Sequence, residues 1–334
     1  MEIVKNIAVT LRLPRKLCLT LVAVGFSLVS ANAQKPSAIV TFGDSLSDLG
    51  NTYNTLGNWG AYGLADYNSY FYDQGRWSNG PLWIEDIDLK FGFAALQRND
   101  GTNLYGTDFA WGGSTSFDGF SFAVLANLQQ QVADYINLLS TKYARMPKPA
   151  DALFTVWSGG NDVIYHVTYP DLYPLTPQEV SDNIAKAITS LYNAGGRTFL
   201  VPNLPPLGDK PNFRNTKYQD PANDFVVAYN PLLHTKLAVL RQTKPGITIL
   251  EFDVYTLFQD ALNDPTKYGL TNGKDTAYIA DIFYRHGGYL VDDVDKYLFW
   301  DGTHPTRVGH AIVGEGAYKV ISSALGLSTE QPQP

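Results

Sequence analysis

Ile39-Val40-Thr41-Phe42-Gly43-Asp44-Ser45-Leu46-Ser47-Asp48 is the segment around which the rest of the chain is organised. A short apolar run ends on Gly and passes straight into Asp-Ser-Leu. The run predicts a β-strand, and Gly43 permits a tight turn after it. A serine at a strand end is an exposed hydroxyl on a fixed backbone. Ser45 is expected at the start of the next helix, where unpaired N–H groups favour a developing anion. The surrounding residues do not form a Gly-x-Ser-x-Gly elbow. Asp44 or Ser45 acting only as a helix cap is the plainer alternative, and the rest of the chain decides between them.

Downstream, strands and helices alternate. A strand is expected over residues 103–110, leading into Trp111-Gly112-Gly113-Ser114. Leu125, Leu128, Val132, Ile136 and Leu139 recur at spacings of three and four, which predicts a helix with one apolar face. Residues 152–157 read as a buried strand, ending in Ser158-Gly159-Gly160-Asn161-Asp162. Thr176-Pro177-Gln178-Glu179 is a capping box. Its helix carries Val180, Ile184, Ile188 and Leu191 on one face and stops at Gly195-Gly196. Further strands are expected at 197–201 and 247–252, and helices at 81–91, 224–243, 255–263 and 306–325. Residues 264–296 read as mostly irregular. This alternation predicts an α/β fold with a central parallel sheet covered on both faces. Right-handed crossovers put the strand C-termini on one edge, where ligands bind. Ser45, Gly113 and Asn161 each follow a separate strand and so converge there. No internal repeat or linker divides the chain, so residues 34–327 are expected to form one domain.

The 334 residues are 45% hydrophobic and 17% charged, enough to bury a large core. Lys5, Arg12, Arg15 and Lys16, an apolar run over 17–29 and Ala31-Asn32-Ala33 predict a secretory signal peptide over 1–33. The apolar run is too short for a comfortable membrane span. The protein is therefore expected to be secreted or periplasmic. Removing 1–33 lowers Lys+Arg from 25 to 21 and Asp+Glu from 32 to 31, moving the formal charge from −7 to −10. Such acidity argues against nucleic acid or an anionic membrane as partner. Cys18 is the only cysteine and lies in the leader, so a cysteine nucleophile, a disulfide and a thiolate metal site are excluded from the mature chain. The tail at 328–334 is polar and Pro-rich, and is expected to be disordered.

Ester hydrolysis needs a nucleophile, a base and donors for the oxyanion. Ser45 offers a hydroxyl. His304 is a candidate base, and Asp301, three residues earlier, can orient its ring. Gly113 can offer a backbone N–H and Asn161 a side-chain amide. His166, His234 and His286 have no acid at useful spacing, and His310 reads as packing. No cluster has metal-ligand spacing, and Asp292-Asp293-Val294-Asp295 lacks the Gly and terminal Glu of a calcium loop. No cofactor is expected. The aromatic residues over 53–77 (Tyr53, Trp59, Tyr62, Tyr67, Tyr70, Phe71, Tyr72, Trp77) either face substrate or pack their own loop.

The motifs resemble those of the SGNH/GDSL family of serine esterases and lipases. Phe42-Gly43-Asp44-Ser45-Leu46-Ser47-Asp48-Leu49-Gly50-Asn51 is similar to the family's first block, and Asp108-Phe109-Ala110-Trp111-Gly112-Gly113 to its second. Asp108 stands where the family usually has Asn. Gly159-Gly160-Asn161-Asp162 fits the third block, and Asp301-Gly302-Thr303-His304-Pro305-Thr306 the last. Gly75-Arg76-Trp77-Ser78-Asn79-Gly80-Pro81 is similar to a segment common in its plant and bacterial lipase-like members. Each motif is weak alone, but they occur in family order over residues 42–310. The resemblance implies a flavodoxin-like three-layer α/β/α fold. It implies Ser45 as nucleophile, His304 as base and Asp301 as its orienter. It implies an oxyanion hole of Ser45, Gly113 and Asn161, with Gly113 favoured over Gly112. Many relatives carry cysteines before the last block, whereas residues 264–296 have none, so that loop must be held another way. The expected activity is a secreted serine esterase or lipase acting through an acyl-enzyme on small-molecule, lipid or glycan esters. Acyltransferase or phospholipase action, polysaccharide deacetylation and a non-catalytic binding protein on the same fold are the alternatives.

Overall fold

The computed structural model describes residues 35–56, 70–93, 96–99, 103, 105–117, 126–141, 145–281, 283 and 287–327. The expected leader and tail lie outside these, as do Trp59, Tyr62, Tyr67, Leu125 and His286.

Four parallel strands pair in chain order: β1 (Ala38–Gly43), β2 (Ala152–Trp157), β3 (Thr198–Pro202) and β4 (Thr248–Phe252). All six residues of β2 are buried, as expected for a strand covered on both faces. The strand expected over 103–110 is reduced to isolated parallel bridges at Asp108, one to Thr41 and one to Arg98. The Thr41 N–H donates to Thr107 O at 2.8 Å, and the Phe109 N–H to Thr41 O at 2.8 Å. The Thr107 and Asp108 N–H groups both donate to Gln97 O, at 3.0 Å each, which interrupts regular pairing. Gly106 allows the close approach, since a Cβ there would lie 2.0 Å from the Arg98 carbonyl oxygen. Residues 107–109 still occupy a sheet position on the free side of β1. Counting them gives the flavodoxin-like order, with β1 between the second and third strands of the chain.

The helices are α1 (Asn51–Leu56), α2 (Trp83–Phe91), α3 (Leu128–Leu139), α4 (Gly160–Thr168), α5 (Pro177–Asn193), α6 (Gln219–Thr243), α7 (Val254–Asn263) and α8 (Arg307–Ala324). Alternate strand residues face opposite layers. Val40, Phe42, Phe154, Phe199 and Val201 join α3, α5 and α6 in one core. Ile39, Leu153, Leu200 and Leu250 join α2, α7 and α8 in the other. The result is a three-layer α/β/α sandwich. The α5 face is the expected one, with Val180, Ile184, Ile188 and Leu191 buried.

Three expectations are corrected. No helix begins at Ser45. Residues 44–48 form a single turn, with the Ser47 and Asp48 N–H groups donating to Asp44 O at 3.0 and 3.1 Å. Gly50, at φ 109°, ends that turn before α1 starts. Residues 264–296 are not mostly irregular. They hold β5 (Asn272–Thr276), β6 (Tyr278–Ala280) and β7 (Gly288–Leu290), and β8 (Tyr297–Phe299) follows. β5 pairs with β8 in parallel, and β6 with β7 antiparallel. An aromatic cluster of Phe71, Tyr72, Trp77, Tyr278 and Trp300 holds this module without disulfides. Pro81 precedes α2 rather than entering it. Leu82 caps that helix, its N–H donating to the Glu85 carboxylate at 2.9 Å.

Candidate active site

The loops after β1, β2 and β8 meet at one edge of the sheet. Gly43 sets the position of the first: a Cβ there would lie 2.4 Å from the Trp157 carbonyl oxygen. The buried Gln131 amide grips the same residue, accepting from the Gly43 N–H at 2.9 Å and donating to its carbonyl at 2.8 Å. Ser45 therefore leaves the strand from a fixed point.

Ser45 Oγ lies 2.9 Å from His304 Nε2, although the two residues are 259 apart in the chain. His304 Nδ1 lies 2.7 Å from Asp301 Oδ2. A proton on Nδ1 satisfies Asp301 and leaves Nε2 free to accept from the Ser45 hydroxyl. Asp301 Oδ1 accepts the Thr303 and His304 N–H groups, both at 2.7 Å. The Tyr72 hydroxyl donates to Oδ2 at 2.6 Å. Burial alone would raise the Asp301 pKa. His304, through its charge and hydrogen bonds, and Tyr72 outweigh it and hold the carboxyl down at about 2. The Trp77 ring packs against the imidazole, with centroids 5.4 Å apart.

The two adjacent glycines separate cleanly. The Gly112 N–H donates inward to Asp48 Oδ2 at 2.9 Å and to Thr52 Oγ1 at 2.8 Å. Gly113, at φ 76°, borders the cavity in front of Ser45. Asn161 stands on the first turn of α4 and donates one amide hydrogen to Ser114 O at 2.9 Å. An amide has two such hydrogens, so one remains for a ligand. Its neighbour Asp162 ties down the same loop, accepting from the Ser116 N–H at 2.9 Å and hydroxyl at 2.7 Å. Asp108 is fully buried and accepts the Leu49 and Ala110 N–H groups. Burial and the nearby Asp48 push its pKa well up, towards the uncharged form that an Asn would have there.

Two cavities flank Ser45. One, of about 180 Å³, is lined by Ser45, Trp77, Gly113, Asn161, Tyr165 and His304. The other, of about 50 Å³, is walled by Leu46, Ile164, Leu207, Phe258, Leu262 and Phe299, with Asp44 and Lys210 as its ionisable residues.

Ser45, Gly113, Asn161, Asp301 and His304 thus lie around one point. Tyr72, Gln131 and Lys210 also stand at the site, without a motif to mark them in the sequence. Tyr72 was visible only as one of many aromatics, and its contact to Asp301 spans 229 residues. Gln131 has no signal in the sequence beyond its place on the helix bearing Leu128 and Val132. The other described histidines lie elsewhere. His310 is buried, and burial first and His304 second push it down to about 3, so it packs as a neutral ring. His166 packs on Phe225, and His234 sits beside Glu251.

Residues 39–317 match the profile of the GDSL-like lipase/acylhydrolase family. A thermolabile hemolysin of Vibrio parahaemolyticus is 29% identical over 87% of this chain, a match spanning 64% of the hemolysin's own length. A phosphatidylcholine-sterol acyltransferase of Aeromonas hydrophila is 26% identical over 86% of this chain and 90% of its own. A crystal structure of a candidate GDSL-like lipase from Parabacteroides merdae superposes with a TM-score of 0.51 at 10% identity, covering 87% of this chain and 97% of that one. The chain belongs to the GDSL-like lipase/acylhydrolase family and is an ester-hydrolysing serine hydrolase.

Proposed function

We propose that the protein is an exported esterase in which Ser45 attacks the ester carbonyl while His304 takes its proton, with Asp301 holding the imidazole. The supporting observation is the unbroken chain Ser45 Oγ to His304 Nε2 and His304 Nδ1 to Asp301, at 2.9 and 2.7 Å. The tetrahedral oxyanion is received by the Ser45 and Gly113 N–H groups and the Asn161 amide. His304 then returns the proton to the leaving alcohol, and water hydrolyses the acyl-enzyme by the reverse roles.

The cavities suggest which part of the ester goes where. The leaving oxygen must face His304, so the alcohol takes the larger cavity, which His304 and Trp77 border. The acyl group takes the apolar one. At about 50 Å³ it has room for the equivalent of roughly three to five waters, which favours short acyl chains. The test is a panel of p-nitrophenyl esters. Turnover should be highest for two to four carbons and absent in Ser45→Ala. A preference for long chains would contradict the acyl assignment; undiminished turnover in Ser45→Ala would contradict the mechanism.

Acyl transfer to an alcohol other than water is the second reading. It is favoured by the name of the Aeromonas relative, and product partitioning with added alcohol measures it. Export rests on the basic, apolar and Ala-x-Ala pattern of residues 1–33. The secreted protein should begin at Gln34 by N-terminal mass analysis. Met1 retained on active protein would contradict export by a cleaved leader.

A further inference from the structure

Lys210 is a buried cation for which the proposed reaction has no use. It is 4% exposed, yet it lines the apolar cavity beside Ser45. Its position is fixed by the fold. The Gly208 N–H donates to Asn223 Oδ1 at 2.8 Å, and a Cβ on Gly208 would lie 2.0 Å from the Gln219 carbonyl oxygen. The Asn212 N–H donates to Gly302 O at 3.0 Å. The loop bearing Lys210 is thus fastened to the loop bearing Asp301 and His304. Lys210 Nζ lies 3.9 Å from the Phe213 ring centroid and donates to Thr303 Oγ1 at 3.0 Å. An ammonium has three donors, and Thr303 is its only hydrogen-bond acceptor among the described residues. Asp301 is the carboxylate whose charge it feels, but both Asp301 oxygens are already taken by His304, Thr303 and Tyr72. A buried charge without a close counter-ion is costly, and an anion entering the cavity would relieve that cost.

We infer that Lys210 gives the acyl cavity an anion-binding end, so that the enzyme favours esters whose short acyl group ends in a carboxylate: half-esters of short dicarboxylic acids. The inference rests on the esterase reading and names the substrate class of that same site. The reaction balances without a further reactant. Ser45 Oγ bonds to the carbonyl carbon and the alcohol leaves with a proton from His304. Water then releases the dicarboxylic acid.

The charges around the cavity set its pH dependence. Asp44 and Lys210 line it, Asp301 acts on Lys210, and His304 and Asp162 act on Asp44. Burial lowers Lys210 to about 8 and raises Asp44 to about 7. Below pH 7 the wall carries a charged Lys210 and a neutral Asp44, which suits an anion. Above pH 8 it carries a neutral Lys210 and a charged Asp44, which repels one.

The experiment compares kcat/KM for monoethyl succinate with that for ethyl pentanoate, its neutral counterpart. Acetoxyacetate, with its anion on the alcohol side, against propyl acetate is the second arm. The succinate-to-pentanoate ratio should fall about tenfold in Lys210→Met, the size of one charged hydrogen bond, and should fall in the wild type between pH 6 and pH 9. If Lys210→Met does not fold, Lys210→Gln supplies the same comparison. A ratio indifferent to both Lys210 and pH overturns the inference. So does a Lys210-dependent preference confined to acetoxyacetate. Ethyl pentanoate turnover without the ratio change defeats the Lys210 inference alone; no turnover of any ester defeats the esterase reading.

Discussion

Asn161 shows how one side chain can serve both the site and its frame. One amide hydrogen is committed to Ser114 O at 2.9 Å, and the other is proposed for the oxyanion. Asn161→Ala should lower kcat by ~10²–10³ with little change in KM, because the lost donor acts where charge develops. It should also cost about 1 kcal/mol of stability through the lost Ser114 bond. Asn161→Asp puts an anion against the oxyanion and should be at least as damaging to kcat near neutral pH. Unchanged turnover per folded molecule in both variants would leave Asn161 with the frame alone. Asp44 offers a pH test. Burial raises its pKa from 3.8 to about 7, helped by Asp162, against the pull of the Leu46 N–H and His304. A carboxyl raised on folding contributes stability that is present below its unfolded pKa and is lost as pH rises through the folded value. Between pH 4 and pH 7 the wild type should therefore lose a few kcal/mol from this group, at about 1.4 kcal/mol per unit. Asp44→Asn keeps the oxygen that accepts the Leu46 N–H but cannot ionise. Its Tm should be close to wild type at pH 4 and above it at pH 8. An equal Tm difference at both pH values would contradict the burial effect.

At the scale of elements, what the sequence made legible is what periodicity encodes. The strands β1 to β4 and the helix α5 follow from apolar runs and capping residues, and they bring Ser45 and Asn161 to one edge, where residues 107–109 beside β1 carry Gly113. The elements that escaped are those where one tertiary contact outweighs local pattern. Residues 103–110 have a strand's composition at their end, but two of their N–H groups share Gln97 O, and only isolated bridges from Asp108 to Thr41 and Arg98 form. β6 and β7 are three residues each, too short for alternation to register, and Phe71 stacked on Tyr278 at 4.5 Å secures that module from outside. Ser45 lies on a turn rather than a helix because Asp44 closes the turn on itself, its carboxylate accepting the Leu46 N–H at 3.0 Å. The aromatic stretch is divided in its role. Phe71 and Tyr72 pack, while Tyr72 also reaches Asp301 and Trp77 also covers His304.

Across the whole molecule, the two helical layers do the stabilising, and the sheet edge between them is left for chemistry. Gln131, Asp162 and Asp108 are spent on holding the three loops that meet there. Among the described residues no helix is long and apolar enough to cross a membrane. The proposed mechanism passes an acyl group through the Ser45 oxygen. Treating the protein with an alkyl fluorophosphonate and mapping the modified peptide tests this most directly. One adduct per molecule on the peptide containing Ser45, forming in step with loss of esterase activity and absent from Ser45→Ala, is the result predicted. An adduct on another serine, or inactivation that persists in step with labelling elsewhere, would contradict it.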